Sequence, residues 1–130
     1  MLPHEKWLAN AEEDLSFAKL GLREKFFSQV CFLSQQVVEK SLKSFLLFNG
    51  RSYPRSHKII ELAHLCKELG PDLIPLKNEL KLLDEFYIPT RYPDAIPGGL
   101  SMALPGQRDA QEALQLAERI FVLVQEKLKS

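Results

Sequence analysis

Apolar residues return every three or four positions along most of this chain, and the phase of that return divides it into helical segments. Trp7, Ala11, Leu15, Ala18 and Leu22 make one stripe over residues 4–23 and predict a first amphipathic helix. Pro3 suits its start, because the leading N–H groups of a helix have no intrahelical partner to lose. After a turn at residues 23–27, a second pattern runs over residues 28–49. It is apolar over a wide arc that includes Val30, Cys31, Val37, Val38, Leu42 and Phe45, as expected of a central helix. Asn49-Gly50 closes it, since Gly accepts the left-handed cap conformation. A third helix is predicted from an N-cap at Ser56 to Leu69, with Ile59, Leu62, Cys66 and Leu69 inward and Gly70-Pro71 as its stop.

Leu76, Leu80, Leu83 and Phe86 predict a fourth helix over residues 76–87. Residues 88–106 then hold Pro89, Pro93, Pro97 and Pro105 with Gly98, Gly99 and Gly106, a density that no helix or central strand survives. The last helix is predicted over residues 107–127 from Ala110, Ala113, Leu114, Ala117, Phe121 and Val124. No repeat, low-complexity tract or strand-like alternation appears. The expectation is all-α: an up-down helical bundle of about five helices with one long Pro/Gly-rich loop before the last helix, residues 1–130 forming a single domain.

The polar side of the second helix is its informative side. At about 100° per residue, Gln29, Gln36, Glu39, Lys40 and Lys43 fall together, interrupted by Phe32 and Leu47. One reading is a solvated face carrying an i,i+4 pair, Glu39–Lys43. The other is an interface or cleft, which suits a polar stripe with apolar members. Asp14, bordering the stripe of the first helix, is either a half-exposed surface acid or a carboxylate turned inward to Lys40 or Lys43.

Composition narrows the partners. Lys plus Arg and Asp plus Glu are equal at 17 each, so nucleic acid would be met by a local basic patch, not by a general field. Cys31 and Cys66 sit on apolar helix positions, which suits buried thiols in a reducing cytosol better than a disulfide. No stretch reads as a signal peptide or membrane span, so a cytoplasmic protein is expected. Eight Phe and one Trp in so small a bundle exceed what it buries internally, which predicts a homodimer.

Candidate chemistry is sparse. No C-x-x-C or H-x3-H pair is present, His57 and His64 are too widely spaced to share an ion, and Gly98-Gly99 lacks the Lys of a phosphate loop. Neither metal nor cofactor is expected. Arg91, in a proline-bounded segment with Tyr92 and Asp94, has the fork to grip phosphate or carboxylate, and Tyr87 or Tyr92 has the ring to stack on a base. Equally, Arg91 could anchor its loop to Glu39 or Asp84.

Four pieces in order carry a resemblance. They are Trp7, Ala11, Asp14, Leu15 and Ala18 in the first helix; Gln35-Gln36 with Glu39, Lys40, Leu42 and Lys43 in the second; His57 at the start of the third; and Tyr87 through Arg91-Tyr92-Pro93-Asp94. Together they resemble the HEPN family, a small helical domain described as higher-eukaryote and prokaryote nucleotide-binding. The resemblance implies a nucleotide- or RNA-binding and partner module, working with a separate minimal nucleotidyltransferase in a toxin–antitoxin-like pair. Gln36, Glu39, Lys40, Lys43, Tyr87, Arg91, Tyr92 and Asp94 are then the candidate ligand-binding residues. Cleaving members of the family share an Arg-x(4–6)-His motif late in the domain; here no His follows His64, which argues against an enzyme. The one spacing match, Arg51 and His57, falls between the second and third helices. It leaves a metal-independent ribonuclease with a non-standard site as one alternative, and a structural dimerisation module without a ligand as another.

Overall fold

The computed structural model describes residues 1–87 and 104–129. The architecture is all-α. Helices α1 (Pro3–Arg23), α2 (Phe27–Phe48), α3 (Ile59–Leu65), α4 (Lys77–Asp84) and α5 (Gln107–Lys129) form a bundle in which α2 packs against all the others. The predicted apolar side of α2 is core throughout: Val30, Cys31, Val37, Val38, Leu42 and Phe45 are all buried, facing the stripes of α1 and α5. Both cysteines are free thiols in that core, and burial pushes each thiol up to about 12, so neither is poised as a nucleophile.

The ends of α1 and α2 show why these helices stop where they do. Leu2 N–H donates to the Glu5 carboxylate at 2.8 Å, satisfying an otherwise orphaned donor beside Pro3. At the other end of α1, Lys25 takes a positive φ of 66° and Phe26 N–H reaches back to Gly21 C=O at 2.9 Å, closing a left-handed C-terminal turn. Gly21 also permits close approach: a Cβ there would stand 3.1 Å from Val30 Cγ2. Gly50, at φ 72°, repeats the turn after α2, with Arg51 N–H donating to Leu46 C=O at 2.9 Å.

The middle of the chain departs from expectation. Ser56 does not cap α3. Its hydroxyl accepts from Lys58 N–H at 3.1 Å, while the first amides of the helix, Ile59 and Ile60, donate to the Asp84 carboxylate at 2.8 and 3.1 Å. The cap therefore comes from α4, far away in sequence. At Cys66 the backbone leaves the helical region (φ −87°, ψ 65°), so α3 ends at Leu65 and not at Leu69. Gly70-Pro71 then opens a one-turn helix, Gly70–Leu73, between 3₁₀ turns at Lys67–Leu69 and Ile74–Leu76. These short turns keep Leu69, Leu73 and Leu76 buried. Helix α4 ends at Asp84 and tightens, with Glu85 and Phe86 N–H bonding back three residues. Of the expected loop at 88–106, residues 88–103 lie outside the described residues; 104–106 lead into α5, where Gly106 N–H donates to Asp109 at 3.0 Å.

Candidate functional site

The polar face of α2 is shut off from water at Glu39 and Lys43, while Gln29 at its start is exposed. Glu39 and Lys43 pair at 3.0 Å, as the i,i+4 spacing requires, but their side chains are only 4% and 6% exposed. Removing two charges from water costs several kcal/mol per ion unless partners replace the hydration. Lys43 finds them in aromatic rings: its ammonium lies 5.1 Å from the Trp7 centroid and 5.0 Å from that of Tyr53. Those rings meet edge to face at 5.5 Å. Helix α1 and the segment after α2 thus close over Lys43 from two sides.

Glu39 finds its second partner in His57. The imidazole Nδ1 stands 3.3 Å from both carboxylate oxygens. A carboxylate only accepts, so this contact calls for the tautomer with its proton on Nδ1, which leaves Nε2 on the far side of the ring. The His57 ring then stacks on Tyr87 at 5.0 Å with an interplanar angle of 12°, and Tyr87 meets Phe32 of α2 at 5.7 Å. The backbone under this histidine is pinned. Its carbonyl accepts from Gln35 Nε2 at 2.6 Å, and Gln35 also reaches Asp84 at 3.4 Å. Gln36 donates to Gln35 Oε1 at 2.8 Å and lies 3.5 Å from Glu39. A continuous line of contacts thus runs from Trp7 and Tyr53 through Lys43 and Glu39 to His57 and Tyr87.

The other candidate residues distribute unevenly. Lys40 faces α1, bonded to Asp14 at 2.6 Å and Asn10 at 2.7 Å, so Asp14 does turn inward, to Lys40. Arg51 is spent on α3 and the turn after it: it donates to Leu65 C=O at 3.1 Å and to Glu68 at 2.7 Å, and that bond holds the Glu68 carboxyl below the usual carboxylate range. Arg51 and His57 meet different partners: the Arg51 guanidinium lies over the Phe45 ring and bonds Leu65 and Glu68, while His57 meets Glu39 and Tyr87. His64 is exposed on α3. Arg91, Tyr92 and Asp94 lie outside the described residues. Among the described residues, no three His, Cys, Asp or Glu side chains come together in a metal-holding group, and no helix is long and apolar enough to cross a membrane.

Sequence reasoning missed three members of this site. Gln35 stands in the motif that carries the resemblance but not among the candidate ligand-binding residues. Trp7 belongs to the core stripe and to the resemblance without marking a site, and Tyr53 lies between two predicted helices with no spacing to single it out. Their roles follow from packing between elements, which spacing along one element does not report.

The HEPN domain family model matches residues 4–127. The protein "Putative toxin MJ1304" of Methanocaldococcus jannaschii is 30% identical over 135 residues, covering 95% of this chain and 86% of that protein. Among solved structures, TT1696 from Thermus thermophilus superposes with a TM-score of 0.82 at 35% identity, covering 98% of this chain and 99% of that one. ST0689, an archaeal HEPN homologue, superposes at 0.77 with 33% identity, again covering 98% and 99%.

Proposed function

This chain belongs to the HEPN domain family, and we propose that it is a nucleotide- or RNA-binding partner module of the cytoplasm, acting as a homodimer with a separate minimal nucleotidyltransferase in a toxin–antitoxin-like pair. One observation carries the ligand-binding part: the Lys43–Glu39 pair is sealed inside the fold, yet it leads to His57, whose side chain is 58% exposed. A buried ion pair contributes little net stability. One that ends on a partly exposed, positioned imidazole beside a tyrosine has the make-up of a ligand site. The relative named as a toxin supports the pairing. Arg91, Tyr92 and Asp94 belong to the proposal from sequence alone.

The test is tagged expression in a host that also carries the neighbouring reading frames, followed by mass spectrometry of co-purified protein and nucleotide. Recovery of a nucleotidyltransferase and a bound nucleotide or RNA is expected. A chain that purifies as a monomer with neither would defeat the reading. Arg91→Ala is expected to weaken ligand or partner binding while the melting temperature holds.

A second reading, metal-independent RNA cleavage, is favoured by one feature: Glu39 orients His57 as a proton-transfer group would be oriented. Chelator-treated protein that cuts RNA, with the cutting lost in His57→Ala, would establish it. The absence of a histidine after Arg91 leads us to expect no cutting.

A further inference from the structure

Tyr87 is one of two base-stacking candidates in the sequence, beside Tyr92, but one face of its ring already lies on His57 and it also meets Phe32. Among the described residues, this row of rings, in which His57 and Tyr87 stack and Phe32 meets Tyr87 at a tilt, ends at the outer face of His57. We propose that this face receives an unpaired nucleobase, which rests on the nucleotide- or RNA-binding reading above and names the contact. Two sides of the imidazole and the backbone beneath it are accounted for. The inner face lies on Tyr87, the Nδ1 edge on Glu39, and the backbone is held by Gln35. With its side chain 58% exposed, the ring has surface beyond these contacts among the described residues for a ligand to meet.

The ring is also pre-positioned, so little freedom is lost when a base lands on it. In its protonated form the ring face is cationic and attracts an electron-rich base. Lys43 matches the Glu39 charge, so the floor under the base does not repel a phosphate as a lone carboxylate would. Arg55 and Lys58, both exposed and close to His57 in sequence, add positive charge for that phosphate. A base in a duplex is already stacked on both faces, so the ligand is a free nucleotide or a single strand.

The probe is 2-aminopurine, whose fluorescence falls when it stacks. It is used as the free riboside monophosphate, within an unstructured oligoribonucleotide, and in that oligonucleotide annealed to its complement. Wild type is expected to quench the single strand, the mononucleotide or both, which identifies the source of the base, and to leave the duplex unbound. His57→Ala should remove the quenching and weaken binding about tenfold, the order of a single base–aromatic stack. His57→Phe should restore quenching, because it keeps a flat face. Melting temperatures of both variants control for folding. If His57→Ala binds and quenches like wild type, or the duplex binds as tightly as the single strand, the stacking site is wrong while nucleic-acid binding stands. If wild type binds none of the three, the stacking site and the reading beneath it both fall.

Discussion

Lys40 and Lys43 stand one turn apart on α2, and both are paired to a carboxylate, yet they belong to different parts of the molecule. Lys40 reaches α1 at the rim, where it and Asp14 are each 18% exposed and Asn10 adds a neutral acceptor. Lys43 and Glu39 are 6% and 4% exposed, roofed by Trp7 and Tyr53 and continued by His57. Water still screens the first pair and is shut out from the second. The first therefore behaves as a clasp between helices that can open at small cost. The second behaves as one unit, in which removing any charge strands another inside the fold. Glu39 of that unit also meets the His57 imidazole, so a charge pair shut off from water adjoins an exposed ring.

The sharpest way to break this comparison is to strand one charge. Glu39→Ala leaves the Lys43 ammonium buried against the Trp7 and Tyr53 ring faces without its carboxylate, and about 3–5 kcal/mol of unfolding free energy should be lost. The double variant Glu39→Leu, Lys43→Met should regain most of it, because both charges leave together. Urea unfolding of the two variants decides the matter. If Glu39→Ala costs under about 1 kcal/mol, the pair is effectively solvated and the comparison collapses.

Asp84→Ala tests the other support of His57. Its carboxylate takes the Ile59 and Ile60 amides that begin α3, and also meets Gln35. Loss of about 2 kcal/mol is expected, at the upper end for a helix N-cap. Nucleotide binding should fall as well, because the His57 backbone loses its anchorage through Gln35. Asp14→Ala, by contrast, should cost about 1 kcal/mol or less, and the loss should shrink in high salt. Equal losses for Asp14→Ala and Glu39→Ala would show that burial does not distinguish the two lysines.

The legibility of the fold follows the same line between local and non-local causes. Helices α1, α2 and α5 were readable because a stripe on a 3.6-residue period, a leading Pro3 and a closing Gly50 are written into consecutive residues. Family membership was readable for a related reason, since the ordered motifs lie on those helices and between them. The break at Cys66 was not readable: Leu69 keeps the apolar phase, so an interrupted helix and a continuous one share a pattern. Nor was the α3 cap, because a serine at the expected place concealed an aspartate on another helix. The candidate site was half legible. Glu39 and Lys43 were found as a pair, but i,i+4 spacing is the same on a wet face and in a sealed one. Only the arrival of Trp7, Tyr53 and His57 from separate segments decides which it is.

The smallest expected effect sets the zero of the comparison. Arg108 and Glu112 on α5 form another i,i+4 pair, bonded at 3.1 Å, with side chains 91% and 64% exposed. Their spacing matches that of Glu39 and Lys43, and their bond is nearly as short, so spacing and distance alone would give both pairs the same weight. Their exposure to water separates them. In water the attraction is screened, ordering two long side chains costs entropy, and each charge keeps its hydration if the other is removed. Arg108→Ala should therefore change unfolding free energy by less than about 0.5 kcal/mol, with Ala's helix propensity recovering part of what the pair supplied. A double-mutant cycle over Arg108 and Glu112, run beside the same cycle over Lys43 and Glu39, measures the two coupling energies under one set of conditions. A coupling several times larger for the buried pair is the expected result. Comparable couplings would mean that the protein interior around Lys43 screens charge as well as water does, and that His57 is held by contacts other than Glu39.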